Sequence, residues 1–504
     1  MNLFSLIRSR IPVLDKVFLL ASDGRRLTYR DMVEQSARIA HVLVKRGVTP
    51  GDRVAVQVEK TPENLLLYLA CLRAGAVYLP LNTGYTPAEL DYFIGNAEPR
   101  LLVCDPAKRE TLSAIATVRG CAAIESLDAS GQGSLTEAAS TAPSSFDEVA
   151  RAPVDLAALL YTSGTTGRSK GAMLTHGNLS SNGETLVDCW RITQDDVLLH
   201  ALPIYHTHGL FVASNTLMLA GGTMIFLPKF DVDEVLSLFP QATVMMGVPT
   251  FYTRLLSHPG LTRAACAHMR LFTSGSAPLL AETHIAFSEK TGHSILERYG
   301  MTETNMNTSN PYDGNRVAGT VGFPLPGVEL RIADPESGAP LPAGEIGGIE
   351  VKGPNVFSGY WRMPEKTAAE IRPDGFFITG DVGKIDARGY VHIVGRAKDM
   401  IVTGGFNVYP AEVEAEINAL DGVLESAVIG CPHPDFGEGV TAVVVLRGGA
   451  ELDERMIIDR IGERLAKFKL PKRVLLADAL PRNSMGKVTK NVLREQNVNL
   501  YAGT

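Results

Sequence analysis

Asp52–Asn82 reads DRVAVQVEKTPENLLLYLACLRAGAVYLPLN. DRVAVQV has the short apolar character of a strand. PENLLLYLACLRAG is long enough for a helix and closes on glycine, and AVYLPLN returns to strand. Strand, helix and strand in that order predict a parallel βαβ unit. Just upstream, LTYRDMVEQSARIAHVLVKRG (27–47) has helical spacing of apolar residues and again stops at glycine. An Ala/Ser/Gly-rich stretch (129–152) reads as an exposed connection.

The alternation resumes at Ala157. ALLYTS is a strand, followed by a Gly-rich loop, the strand GAMLT and the helix HGNLSSNGETLVDC. TVMMGVPT is a strand with the helix FYTRLLSH behind it, and MRLFTSGSAP and SILERYG are further strand-to-loop endings. After about Gly319 the strands are short and separated by turn signals (EIGGIEVKG, GFFITGDVGKID, GYVHIVG), which predicts an antiparallel portion. Beyond Gly395 come PAEVEAEINAL, ESAVIGC, TAVVVLR and ERMIIDRIGERLAKF, a small α+β unit. The expected fold is α/β: a large N-terminal domain (residues 1–395) with βαβ-type sheets and an antiparallel β portion, then a small α+β C-terminal domain (396–504).

A chain of 504 residues exceeds what one core usually holds, in keeping with two domains. With 45% hydrophobic and 20% charged residues it is not disordered, and a net charge of −7 offers no basic field for nucleic acid. The six cysteines form no C-x-x-C pair, which argues against a zinc ribbon or disulfide framework. MNLFSLIRSRIP is too short for a signal peptide, and no apolar run reaches the roughly 18 residues that span a bilayer. The expectation is a cytoplasmic protein with no membrane or nucleic-acid partner; the oligomeric state is not readable.

Five stretches suggest chemistry. YTSGTTGRSKG (161–171) follows a strand and offers glycines, hydroxyls and Lys170 to phosphate oxygens. Its glycine spacing is not the Walker pattern. A flexible turn is the plain alternative, and GRSKG also fits the G-x-S-x-G elbow of serine hydrolases, though more strand follows Ser169. ERYGMTET (297–304) puts Tyr299, Thr302 and Glu303 in one loop after a strand ending at Tyr299-Gly300. Glu303 suits Mg²⁺, which favours carboxylates together with phosphates. In ITGDVG (378–383), Asp381 sits in a tight turn and could accept from ribose hydroxyls. GRAKDMIVTGGFNVYPAEVE (395–414) carries Arg396, Lys398 and a glycine pair that permits close backbone approach. PRNSMGKVTK (481–490) carries Lys487. Taken singly, each of these also reads as a solvated loop or turn.

In this order, the five stretches resemble the adenylate-forming enzymes: acyl-CoA synthetases, luciferases and the adenylation domains of peptide synthetases. The resemblance spans nearly the whole chain. It implies ATP, Mg²⁺ and coenzyme A as ligands, and a C-terminal domain that swings about a hinge at Lys398 between two half-reactions. It implies that Thr162, Ser163, Gly164, Thr165, Thr166, Gly167 and Lys170 grip the ATP phosphates. It assigns Ser274, Gly275, Ser276 and Ala277, with Glu297, Arg298, Tyr299, Gly300, Met301 and Thr302, to the adenine pocket and α-phosphate. Glu303 matches the magnesium-associated glutamate, and Asp381 and Arg396 the ribose contacts. Lys487 matches the lysine between carboxylate and α-phosphate, a residue that an acyltransferase can neutralise in relatives. Gly404, Gly405 and Phe406 match the pantetheine tunnel.

The acid is suggested by LPIYHTHGLF (202–211) and GVPTFYTRLL (247–256). His206 matches a position that lines the acyl pocket in relatives; the H-x-H pair has no third ligand nearby for zinc. Thr250 as helix N-cap would put Arg254 in the first turn, where a cation opposes the helix dipole and would suit an anionic ligand; an outward surface arginine is the alternative. A fatty acid needs no such cation, whereas a dicarboxylate does. The segment 297–328 also resembles malonyl-CoA synthetases. That implies malonate, with methylmalonate as a variant, held by Arg254 and bounded by Thr207, Ser276 and Met306. Another short or aryl acid remains the rival.

Overall fold

A computed structural model describes residues 1–162, 169–483 and 487–502. The chain forms two compact units: Met1–Leu279 with Thr283–Leu330 and Val351–Phe377, and Leu280–Glu282 with Arg331–Glu350 and Ile378–Thr504.

The first unit holds two sheets. One has six strands, in the order Ala123–Ser126, Leu101–Cys104, Arg53–Gln57, Val77–Pro80, Leu156–Thr162 and Lys170–Thr175. All its pairs are parallel except the last, a hairpin. The other runs Phe323–Pro324, Asn305–Ser309, Leu296–Met301, Leu271–Ser274, Val244–Gly247, Val197–His200, Thr223–Phe226, Val17–Ala21, Arg26–Thr28. It is parallel in the middle and antiparallel at both ends. The opening βαβ unit is present as read. Its helix, Pro62–Ala74, is buried at every residue: the apolar run Leu65–Leu72 covers all sides, and the polar Glu63, Asn64 and Arg73 are paired or hydrogen-bonded. Thr61 caps it, Pro62 occupies the first turn, where no N–H is needed, and Gly75 ends it in the left-handed conformation.

The second unit contains most of a four-stranded sheet (Glu329–Ala333, Gly347–Lys352, Phe377–Ile385, Val391–Arg396) and a five-stranded one. In the latter, Val423–His433 and Gly437–Leu446 form a long hairpin flanked by Ile401–Thr403 and, in parallel, Arg473–Leu476. Its core joins Val413 and Ile417 of the helix Pro410–Asn418 to Val428, Val440 and Val444 of the sheet. The architecture is thus mixed α/β with a separate small C-terminal portion.

Three local readings change. The stretch 129–152 includes a helix, Ser134–Ser140, that buries Leu135 and Ala139. Two apolar residues four apart make one stripe, too little to register against a polar background. SILERYG ends one residue later than read, at Met301, and the loop that follows is a tight turn at 302–304 into Asn305–Ser309, with which the strand pairs. ERMIIDRIGERLAKF is helical only over Glu454–Gly462, with a separate 3₁₀ turn at Lys467–Lys469.

Candidate active site

The hairpin Leu156–Thr162/Lys170–Thr175 has Thr162 opposite Lys170. Between them, Ser163, Gly164, Thr165, Thr166 and Gly167 lie outside the described residues. Ser169 leads into a strand, which removes the strand–turn–helix geometry a nucleophile elbow needs. Lys170 is buried at 8% exposure, and its Nζ lies 3.1 Å from Glu370 Oε1 and 4.1 Å from the centre of the Tyr360 ring. The Tyr360 hydroxyl lies 2.7 Å from Glu370 Oε2 and 3.1 Å from Glu303 Oε1. Thr162 Oγ1 donates to the same Glu303 oxygen at 3.3 Å. Burial, together with the charges of Glu303 and Glu370, drives the Tyr360 phenol far above its ordinary pKa, so it stays protonated. Burial alone would raise the Glu370 carboxyl, but Lys366, Tyr360 and Lys170 outweigh that and hold it below its usual range.

Glu303 is 4% exposed and sits in the turn between the strands Leu296–Met301 and Asn305–Ser309. Its carbonyl accepts from Phe357 N–H at 2.8 Å, which fixes the turn. Gly300 allows the strands to close here, since a Cβ would collide with the Asn305 carbonyl oxygen and the Met306 side chain. The described residues contain no group of three or more His, Cys, Asp or Glu side chains able to hold a metal. One buried carboxylate beside a hydroxyl still fits Mg²⁺, which takes one or two protein carboxylates and completes its shell with phosphates and water.

On the same hairpin, Arg298 is 2% exposed, and among the described residues none of its three guanidinium nitrogens has a partner. Burial pushes its pKa down to about 9. It lies against Gly275, where any Cβ would collide with the guanidinium. Its neighbour Glu297 is also buried, which pushes the carboxyl up to about 8, although Leu279 N–H donates to it at 3.3 Å. Ser274 is buried at the end of its strand, and Ser276 has φ of 72° and contacts His208 Nδ1 through its hydroxyl at 3.1 Å. His208 opens a π-helical segment, His208–Asn215, a form common at functional sites. His206 packs edge-on against Tyr205, and Thr207 Oγ1 is buried with no partner among the described residues.

Arg254 departs from expectation. The helix runs Pro249–Ser257 with Val248, not Thr250, at the N-cap, because Pro249 takes the first helical position. Arg254 is therefore in the last turn, where the dipole favours a cation, and the dipole argument for an anionic ligand falls. The side chain is exposed and makes no hydrogen bond or ion pair among the described residues.

In the second unit, Asp381 lies within the strand Phe377–Ile385 rather than a tight turn, directly opposite Arg396. Arg396 Nε donates to Asp381 Oδ1 at 2.7 Å, and Asp381 N–H donates to Thr379 Oγ1 at 3.0 Å. Gly380 (φ 73°) supplied the turn-like signal. Lys398 occupies a 3₁₀ turn, Ala397–Asp399, whose Asp399 is paired with Arg494 at 2.6 Å. Gly404 (φ 57°) and Gly405 (φ 82°) form the two-residue turn of the hairpin that pairs Thr403 with Phe406; both central residues of such a turn need positive φ. Phe406 is exposed and stacks on Phe468. Lys487 follows 484–486, which are not described; its carbonyl accepts from Asn483 N–H at 2.9 Å, and its own N–H donates to the Asn483 side chain at 3.0 Å.

The family model for the AMP-binding enzyme matches residues 10–361, and that for the AMP-binding enzyme C-terminal domain matches 412–487. The chain belongs to the AMP-binding enzyme family. Among solved AMP-binding enzymes it is similar to ATP-bound MatB from Rhodopseudomonas palustris, at 63% identity and a TM-score of 0.98 over 99% of both chains. A feruloyl-CoA synthase from an Amycolatopsis species is 39% identical over 94% of each chain. A mitochondrial malonate–CoA ligase from Mus musculus is 36% identical over 96% of this chain and 88% of its own. Motif reading within this family had not singled out Tyr360, Glu370 or His208. The first two follow the turn-rich segment after Gly319, where no local pattern marks them, and His208 was weighed only as half of a metal pair.

Proposed function

We propose that the protein is an ATP-dependent acid–thiol ligase that joins malonate, with methylmalonate as a variant, to coenzyme A. A malonate oxygen attacks the α-phosphorus of ATP, the α–β phosphoanhydride breaks and pyrophosphate leaves. The coenzyme A sulfur then attacks the acyl carbon, its C–O bond to phosphate breaks and AMP leaves, while the thiol proton passes to solvent. Thr162 and Lys170 would contact the phosphates in this reading, with Ser163 to Gly167 assigned there by the family resemblance, and Glu303 would hold Mg²⁺, which would offset phosphate charge. Glu297, Tyr299 to Thr302 and Ser274 to Ala277 would line the nucleotide, leaving Arg298 for the acid, and Asp381 with Arg396 would hold the ribose. Lys487 supplies the cation of the adenylating step, and Gly404 to Phe406 serve the thiol. Residues 396–504 form the moving part, hinged at Lys398, in a cytoplasmic enzyme. Among the described residues no helix is long and apolar enough to cross a membrane, and all six cysteines are free.

The observation that carries the choice of acid is Arg298. A buried guanidinium with no partner is strongly unfavourable unless an anion arrives to pair with it. A distal carboxylate meets that need, with Arg254 a second cation at the surface and His206, Thr207, Ser276 and Met306 around the rest of the acid. The malonate–CoA ligase relative supports this reading. The feruloyl-CoA synthase relative favours an aryl acid, which has no second carboxylate to offer. Pyrophosphate release with a panel of acids, with the thioester identified by mass spectrometry, separates the two. Malonate should exceed acetate and ferulate in the natural enzyme. Arg298→Met should lower kcat/KM for malonate by about 100-fold or more, consistent with loss of a buried charge pair, and change acetate little. Equal turnover of malonate and acetate by the natural enzyme would overturn the assignment.

A further inference from the structure

Glu370 is placed where helix stability gives no reason for it. It ends the short helix Pro364–Glu370, and a carboxylate at a helix C-terminus opposes the dipole. Two lysines nevertheless converge on it, Lys170 at 3.1 Å and Lys366 at 2.8 Å, and the Tyr360 hydroxyl stands 2.7 Å from its second oxygen. That hydroxyl has one proton and two carboxylates within reach, Glu370 and Glu303, so it satisfies only one of them at a time. The charge of Glu370 therefore falls mainly to the lysines. The Lys170 side chain is 10% exposed and sits against the Tyr360 ring, so its ammonium has little water to fall back on.

A polyanion that draws on Lys170 must either take the ammonium from Glu370 or share it with a carboxylate about 3 Å away. Both cost binding energy. We propose that Glu370 is a positioning residue that tethers Lys170 and keeps affinity for the phosphate tail of ATP, and for departing pyrophosphate, lower than Lys170 alone would give. Lys366 is the counterweight: by sharing Glu370, it loosens the tether. The inference rests on Lys170 as a phosphate contact.

Calorimetric binding of magnesium pyrophosphate to the full-length protein, without acid or coenzyme A, tests it. Glu370→Gln keeps the shape and removes the charge, and should tighten pyrophosphate roughly threefold to tenfold, the scale of one partly buried charge pair. Malonate affinity should stay within error, while Tm should fall because the buried Lys170 ammonium loses its counter-ion, and saturating pyrophosphate should restore it more than it raises that of the natural protein. Lys366→Met, at a side chain 37% exposed, should act in the opposite sense and weaken pyrophosphate about twofold, as expected for loss of an exposed i,i+4 pair. In a Lys170→Ala background the Glu370→Gln effect should vanish. Unchanged or weaker pyrophosphate binding in Glu370→Gln overturns the tether, as does a gain that persists without Lys170. If Lys170→Ala alone leaves pyrophosphate binding intact, the assignment of Lys170 to phosphate is what fails.

Discussion

Glu297 and Arg298 are adjacent, buried and not paired with each other by any hydrogen bond, and their side chains answer to different demands. In the sequence they are two letters of one motif, both assigned to the nucleotide. Both are buried, Arg298 against Gly275 and both through the strand pairing of Leu296–Met301, and neither contact is visible locally. For Glu297 the consequence is a pH effect. Burial raises its carboxyl from an ordinary value near 4.5 to about 8 in the folded protein. Between those values the native state holds a proton the unfolded chain has lost, so stability falls as pH rises through that window and levels off above about 8. Glu297→Gln cannot ionise and should escape the loss. Its Tm relative to the natural protein should climb from pH 5.5 to 8 and then stay flat. A Tm difference that does not vary with pH would show that Glu297 is not buried as a neutral acid.

At the scale of elements, the motifs with strong periodicity form as read: the helix Pro62–Ala74, the helix His176–Cys189 and the strands Arg53–Gln57 and Val244–Gly247. What failed were ends and turns. Thr250 looked like a cap because threonine often is one, yet Pro249 fixes the first turn one residue sooner. The strand read as ending at Gly300 continues through a bulge to Met301, because Gly300 marks close strand approach there rather than a stop. That glycine makes a direct prediction. In Gly300→Ala the new methyl has no free space beside the Asn305 carbonyl, so the hairpin must part. The cost should be roughly 1–3 kcal/mol, the range of overpacking a rigid core, read as a lowered midpoint in chemical denaturation. Because Glu303 sits in this hairpin's turn, the same variant should also bind MgATP more weakly. Gly404→Ala should be milder, since its side chain would meet only the ring of Phe436 and the penalty is that of one left-handed residue, about 1 kcal/mol.

At the scale of the molecule, order along the chain predicted the two kinds of architecture but not the sheet orders. Val17–Ala21 pairs with Thr223–Phe226 across some 200 residues, and no periodicity within either strand announces the other. Division of labour follows the same rule. Thr162, Lys170 and Glu303, proposed above for the phosphates and Mg²⁺, belong to the first unit, and Asp381, Arg396 and Lys487 to the second. Under the proposed function, Lys487 serves only the first half-reaction: a cation there offsets two anions as the carboxylate meets the α-phosphate, and the thiol step brings no such pair together. Lys487→Ala should therefore depress pyrophosphate release with malonate by about 100-fold or more. Thioester formation from supplied malonyl-adenylate and coenzyme A should stay within about threefold of the natural enzyme, far inside the 100-fold scale of a lost electrostatic contact. Acetylation of Lys487 by a lysine acyltransferase removes the same charge and should give the same split. If both half-reactions fall together, Lys487 acts through the fold of the second unit rather than through its charge, and the assignment is lost.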